Sequence, residues 1–284
     1  MAVVDKPAGV TSHDVVGHLR RRFDERRIGH AGTLDPGATG VLIVGVGMVT
    51  RLLRFVVDGR KRYTGEIVVG VETDSLDADG VITVTHDRSP VDLDVARSLI
   101  AQHLLGDIEQ VPPMVSAVQV GGRRLHELAR RGLEIERAPR RVHVERFDVV
   151  AEAFDPDGRQ VLQVEVDCGA GTYVRSLAAD LGHLLGTGAH LRNLRRTAVE
   201  PFGIDEAAPP DDCVLLPPIE ALRALPKVAV DDETTRAIVV GKPLPCPAGD
   251  GPWAMVTVDE ELLAVYESSN GALAKPAVVL AINR

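Results

Sequence analysis

Gly29-His30-Ala31-Gly32-Thr33-Leu34-Asp35-Pro36-Gly37-Ala38-Thr39-Gly40 is the stretch that decides how this chain is read. Its four glycines and one proline disfavour both a helix and a strand interior, so it reads as a loop. It carries one carboxylate, Asp35, and one imidazole, His30. Pro36 biases Asp35 to an extended or turn conformation, and the flanking glycines let other backbone come close. Asp-Pro-Gly alone is an ordinary turn in which the Asp bonds its own backbone. The full twelve residues ask for more, because a turn needs neither His30 nor so much glycine. Val41-Leu42-Ile43-Val44-Gly45-Val46-Gly47 follows and predicts a buried strand. An acid on a glycine-lined loop thus feeds directly into the core, which is how scaffolds present reactive groups.

Working outward, the bulk properties set limits. The 284 residues are 45% hydrophobic, enough for one large domain and a small one. The three cysteines, Cys168, Cys213 and Cys246, form no CxxC pair. A zinc site or disulfide framework is not expected, and a reducing cytosol fits. No apolar run reaches membrane-spanning length and no secretory leader is read at the start, so a cytoplasmic location is expected. The net charge is −9, but it is uneven. Residues 1–62 hold 11 Lys and Arg against 6 Asp and Glu, whereas residues 63–110 hold 2 against 10. Residues 111–150 are basic again, which suits a positive groove with an acidic back.

Along the chain, Ala2–Asp5 predicts a strand and Thr11-Ser12 a helix N-cap, followed by the basic cluster Arg20, Arg21, Arg22, Arg26 and Arg27. Thr50–Val57 predicts a short amphipathic helix and Lys61–Val71 a strand with Tyr63 at its start. Asp79-Gly80 marks a hairpin turn, and Asp74, Asp77 and Asp79 read as turn and surface residues. Asp92 caps a helix to about Leu105. Arg123–Arg131 predicts a short basic helix. Arg141–Phe154 and Gln160–Cys168 form a hairpin across Asp155-Pro156-Asp157-Gly158. Thr172 caps a helix through Leu185, and Ala189–Val199 returns as a strand. Pro201–Pro218, rich in proline, reads as a linker. Short strands around one helix, capped by Asp231 or Asp232, fill the rest.

The ordered blocks identify a family. The Asp35 stretch resembles the catalytic motif of the TruB family of tRNA pseudouridine synthases. Asp5-Lys6-Pro7, Lys61-Arg62-Tyr63, Thr73–Gly80, Pro112–Ala117, Gly171–Leu177 and Gly188–Arg196 resemble further family blocks in the family's order. The resemblance covers about residues 3 to 200. It implies an α+β pseudouridine-synthase fold: a mixed, largely antiparallel central sheet flanked by helices and loops. It implies a catalytic domain over 1–200 with a thumb-like RNA-binding insertion at 109–141. A linker at 201–225 and a small β-rich, PUA-like domain at 226–284 would follow. At position 126 this chain has His where relatives commonly have Tyr.

The activity implied is isomerisation of uridine to pseudouridine in the T loop of tRNA, at tRNA position 55, by base flipping and a covalent aspartate adduct. Asp35 would be the nucleophile and Arg175 its charge partner. Tyr63 would stack on the base and take the C5 proton. Tyr173 and Leu194 would wall the uracil pocket, and His30 would stack on neighbouring bases or fill the vacated space. No cofactor and no metal are expected, the partner is tRNA, and the chain is expected to be a monomer. Two other readings stay open at this stage: an RNA-binding, tRNA-folding protein whose role does not need catalysis, and an aspartyl-phosphate phosphotransferase. The second would need metal-binding acids and a phosphate cradle that the sequence does not offer.

Overall fold

The computed structural model describes residues 1–86, 90–116, 119–120, 123–124, 133 and 135–280. The first half lays down β1 (Ala2–Lys6), α1 (Ser12–Arg22), β2 (Ile28–Ala31), β3 (Thr39–Val46) and β4 (Lys61–Val69). A short hairpin, β5 (Val71–Thr73) and β6 (Ile82–Thr85), leads to α2 (Leu93–His103) and β7 (Gly106–Gln110). After the two-residue strands β8 (Gln119–Val120) and β9 (Arg123–Arg124) come β10 (Arg140–Phe154), β11 (Gln160–Cys168), α3 (Val174–Leu184) and β12 (Ala189–Val199).

These strands form a sheet in the order β1-β3-β12-β4-β11-β10-β7, with β2 added on β3. Every neighbouring pair is antiparallel except β3 and β12, which run parallel. Two strands far apart in sequence, β3 and β12, therefore lie side by side, and β12 and β4 form the centre. Apolar spacing explains why helix α3 covers that centre. Val174, Leu177, Ala178 and Leu181 recur at helical intervals and pack with Ile67, Leu162 and Leu191 of the sheet. Helix α1 is held at its start by a capping box. Thr11 accepts from the Asp14 amide at 3.0 Å, and the Asp14 carboxylate accepts from the Thr11 amide at 2.9 Å.

Several boundaries differ from the sequence reading. Gly29, His30 and Ala31 are not loop but the body of β2, paired with Gly45, Val44 and Ile43. The loop proper is 32–38. Strand β3 starts at Thr39, two residues early, because Gly40 (φ +104°) sits flat against Arg196 of β12. A Cβ on Gly40 would fall onto the Arg196 carbonyl oxygen, which is backbone and cannot step aside. Gly40→Ala should therefore cost at least ~3 kcal/mol, read as a lowered midpoint in urea unfolding. The segment Gly47–Phe55 is 3-10 rather than α-helical. Helix α3 is capped by Tyr173, not Thr172, whose hydroxyl instead donates to the Gly169 carbonyl at 3.0 Å. Most of the expected basic helix, with His126, lies outside the described residues. Its first two residues, Arg123 and Arg124, are strand, paired with Gln119–Val120.

The remainder builds a second sheet. Strand β13 (Phe202–Gly203) first pairs back on β12. Then β14 (Lys227–Ala229), α4 (Asp232–Val239), β15 (Leu244–Pro245), β16 (Trp253–Val256), β17 (Leu262–Ser268) and β18 (Leu273–Val279) follow. They order as β14-β16-β17-β18-β15. Asp231 is the cap of α4, accepting from the Thr234 amide at 2.8 Å. The proline-rich stretch before this sheet is anchored at points along its length, although Val214 and Leu215 stay exposed. Phe202 and Cys213 are buried, and the Leu216 amide donates to the Met1 carbonyl at 2.7 Å. One apolar cluster runs from Val3, Ile43 and Leu52 through Leu222 into Val256 and Val265. Two basic residues of the helical cluster also serve this packing: Arg22 donates to the Cys213 carbonyl at 2.6 Å and Arg20 to the Ile28 carbonyl at 3.2 Å.

Candidate active site

The Asp35 loop is fixed by bonds from the start of the chain. The Ser12 hydroxyl accepts from the Leu34 amide at 2.9 Å and donates to the Leu34 carbonyl at 3.1 Å. The Gly9 amide donates to the Pro36 carbonyl at 2.9 Å. Lys6, wholly buried, spreads its ammonium over the carbonyls of Pro7 (2.9 Å), Val10 (2.6 Å) and Pro36 (3.1 Å). Burial brings its pKa down to about 8, against the pull of Asp35 in the other direction. Next to it, Asp5 accepts from Arg195 at 2.7 Å, which joins β1 to β12. The Asp-Lys-Pro block thus acts as a bracket on the loop.

Arg175 meets this loop from helix α3. Its Nη2 donates to Asp35 Oδ1 at 3.1 Å, and its Nε lies 2.9 Å from Asp35 Oδ2 as an ion-pair contact off the hydrogen-bond direction. The guanidinium is 2% exposed and gives its other donors to the Ser75 carbonyl (2.8 Å) and the Val115 carbonyl (2.8 Å). Asp77 Oδ2 stands 3.3 Å from Nη1, so the arginine holds two carboxylates. The Asp35 side chain keeps about a third of its surface open, 34%. Its pKa is nonetheless raised: burial pushes it up, the Arg175 charge pulls it down, and Asp77 and Asp79 push it up again. The arginine therefore opposes the surroundings in keeping the acid ionised.

The partners of Arg175 come from a loop the sequence reading took as mere turn. Thr73 Oγ1 donates to the Asp77 carbonyl at 2.7 Å and Ser75 Oγ to Asp77 Oδ1 at 2.5 Å. The Ala78 amide donates to the Leu191 carbonyl at 2.9 Å, and the Leu191 amide to the Leu76 carbonyl at 3.0 Å. Clamped to β12 in this way, the loop delivers Asp77 beside Asp35. On the other side, Gln110 of β7 exchanges two bonds with the Tyr173 backbone, at 2.8 and 3.1 Å, and so fixes the entry to α3. Residue type and spacing do not set Asp77 apart from other turn acids, nor Gln110 from other strand amides.

Two cavities meet at Asp35, Arg175 and Leu194. One, of about 220 Å³, is lined by Tyr63, Tyr173, Thr33, Lys61 and Arg196 besides those three. The other, of about 170 Å³, is lined by Asp77, Asp79, Arg192 and Asn193. Leu194 reaches both because β12 bulges there: Arg192 pairs with Glu66 and Arg195 with Thr64, leaving Asn193 and Leu194 opposite Gly65 alone. Tyr63 is 8% exposed, and burial raises the pKa of its phenol while Arg196 pulls it down. Five of the six expected site residues thus converge: Asp35, Tyr63, Tyr173, Arg175 and Leu194. His30 does not line either cavity; it is half-buried in β2, and burial followed by the Arg196 charge lowers its pKa. Among the described residues no group of three or more His, Cys, Asp or Glu is placed to hold a metal ion.

The family model described as TruB family pseudouridylate synthase (N terminal domain) matches residues 20–174, more than half of the chain. This chain belongs to the TruB family. A second model, the tRNA pseudouridylate synthase B C-terminal domain, matches residues 175–236. Among curated TruB-family relatives, the tRNA pseudouridine synthase B of Symbiobacterium thermophilum is 47% identical over 83% of this chain and 80% of its own. That of Corynebacterium aurimucosum is 44% identical over 96% of this chain and 94% of its own. The fold agrees with more distant solved structures. An H/ACA RNP bound to a substrate RNA containing 2'-deoxyuridine matches with TM-score 0.71 at 24% identity, covering 99% of this chain and 85% of that one. A Cbf5-Nop10-Gar1 complex matches with TM-score 0.69 at 24% identity, covering 100% and 84%. The α+β architecture with a central mixed sheet is the pseudouridine-synthase fold expected from the TruB blocks. As a TruB-family member the chain is an enzyme, a pseudouridine synthase and hence an isomerase acting on RNA. No helix among the described residues is long and apolar enough to cross a membrane.

Proposed function

We propose that this enzyme isomerises the T-loop uridine of tRNA, at tRNA position 55, through a covalent adduct on Asp35. The observation that carries this reading is the Arg175–Asp35 pair at the junction of two cavities, one of them walled by Tyr63 and Tyr173. A carboxylate can add to carbon and leave again, which suits a base that must detach, turn and rejoin through C5. The target must leave the folded loop, at a cost of a few kcal/mol, and stacking on an aromatic face returns about 1–3 kcal/mol. Tyr63 offers that face and, late in the reaction, an acceptor for the C5 proton. Tyr173 and Leu194 complete the pocket, and the Lys6 bracket keeps the nucleophile in place. His30, set back in β2, serves the RNA neighbouring the target rather than the pyrimidine itself. The region 109–141 acts as the RNA-closing segment, the sheet beyond residue 226 as a small PUA-like unit, and the enzyme works in the cytoplasm as a monomer.

The direct experiment follows tritium release from C5-labelled uridine in T-loop RNA, comparing the wild type with Asp35→Asn. A second measurement bears on recognition. TruB-type contact through RNA backbone predicts that affinity falls with salt by about 0.7–0.9 log units per decade for each phosphate neutralised. Four or more contacts give a total slope of about −3 or steeper. A flat salt titration would speak against a basic groove.

A further inference from the structure

The tyrosine-lined cavity has a wall that the reaction as described leaves without a task. On adjacent strands, Tyr63 of β4 pairs with Arg196 of β12, and Lys61 pairs with Val199. Lys61 is 6% exposed and Arg196 1%. Their donors go to backbone carbonyls: Lys61 Nζ to Val57 (2.8 Å) and Gly59 (2.9 Å), Arg196 Nε to Val41 (2.7 Å) and Nη2 to Gly32 (3.0 Å). The Arg196 charge also lowers the pKa of the Tyr63 phenol, against the effect of burial. Both cations flank the same residue on the cavity lining. A Cβ placed on Gly32 would stand 3.5 Å from Arg196 Nη1 and 3.6 Å from Lys61 Cε. Burial lowers the Lys61 pKa, and the Arg196 charge lowers it further. Two like charges buried together, satisfied by carbonyls rather than by a carboxylate, are costly to hold. Such a wall is useful where a negative charge comes and goes.

We propose that Lys61 and Arg196 form an electropositive wall that stabilises the negative charge placed on the pyrimidine during isomerisation. This rests on the Asp35 reading above. When the C1′–N1 bond breaks, its electron pair leaves with the uracil, whose charge spreads over N1, O2 and O4, while C1′ takes a pair from the Asp35 carboxylate. C5 then returns a pair to C1′ as the aspartate leaves. The C5 proton goes to water, or to the Tyr63 oxygen as the phenol passes its own proton on, and N1 gains one. If Asp35 adds to C6 instead, the displaced C5=C6 pair sits on the same ring as an enolate at O4. In both routes a transient pyrimidine anion occupies the cavity. The cations are already fixed by their carbonyl partners, so they need no rearrangement when that charge develops.

The test is single-turnover conversion of T-loop RNA carrying uridine or 5-fluorouridine at the target, read by chromatography of the digested nucleosides. The fluorinated ring has no C5 proton to lose, so its product is the C5-linked isomer that keeps fluorine, with an N1=C6 bond or that bond hydrated. Lys61→Met should slow uridine conversion on the order of 10²-fold, leave RNA affinity within about threefold, and recover largely in Lys61→Arg. The loss should be smaller for 5-fluorouridine, about tenfold, because fluorine already stabilises the ring anion. Equal losses for the two pyrimidines, or a loss confined to RNA affinity, would overturn the proposal. Lys61 also ties the Val57 and Gly59 carbonyls, so a second measurement leaves the chain unaltered. 5-Nitrouracil, ionised at neutral pH, should inhibit the wild type at least about tenfold more strongly than uracil, a difference of roughly 1.4 kcal/mol. Equal inhibition by the two would count against the wall. Asp35→Asn run alongside separates the two failures: it stays inactive if only the wall is wrong, and turns over if the Asp35 reading itself is wrong.

Discussion

Asp35→Asn is expected to abolish tritium release, by about 10⁴-fold or more, while T-loop RNA affinity changes by less than about tenfold, roughly 1.4 kcal/mol. The amide is nearly isosteric with the carboxylate. Its oxygen can still accept from Arg175 Nη2, and Asp77 at 3.3 Å remains to balance the guanidinium. What disappears is the nucleophile, since a neutral amide does not add to carbon and leave as a carboxylate does. The variant should stay folded, with a loss of stability near 1 kcal/mol from the weakened charge-assisted bond. Thermal unfolding checks the second half of the claim and labelled RNA the first. Substantial turnover by the purified variant would remove Asp35 from its role.

Arg175→Met carries the second-largest effect and a distinctive pH dependence. Without the guanidinium, burial and the charges of Asp77 and Asp79 act on Asp35 unopposed, so its pKa, already raised, rises further. A smaller fraction is then ionised at neutral pH. The rate should fall by about 10²–10⁴-fold at pH 7 and climb more steeply than that of the wild type as the pH is raised. Stability should drop too, because the Ser75 and Val115 carbonyls lose their donor. A broken buried ion pair costs about 3–5 kcal/mol, and the partial exposure of Asp35 trims this to about 2–3 kcal/mol. A pH profile of Arg175→Met that runs parallel to the wild type would show that the arginine does not govern the charge of Asp35.

The parts of this fold written in local chemistry were readable from residues alone. The β10–β11 hairpin announces itself by alternation and by Asp155-Pro156-Asp157-Gly158, whose Asp155 carboxylate accepts from the Asp157 and Arg159 amides at 3.0 and 2.9 Å. Strand β12 runs over the expected residues. What could not be read is which distant strands adjoin. Gly29–Ala31 looks like loop by composition, yet β3 offers it an open edge and it pairs there as β2. The importance of Asp77 arises only because its loop is clamped on β12 beside α3, more than a hundred residues further along. Glycine content signalled close approach around Asp35 but not its object, the backbone of Arg196.

The bulge in β12 has a consequence for how this strand can change over generations. Side chains on a strand alternate between faces, so Arg195, paired with Asp5, and Arg196, set into the tyrosine cavity, are told apart only by counting from that extra residue. Removing Asn193 would act like a frameshift confined to one strand. Arg196 would move into the place of Arg195, Thr197 into that of Arg196 and Arg195 into that of Leu194, so one lost codon would take a cation out of the cavity wall and an apolar side chain out of the pocket, with every remaining letter of the strand intact.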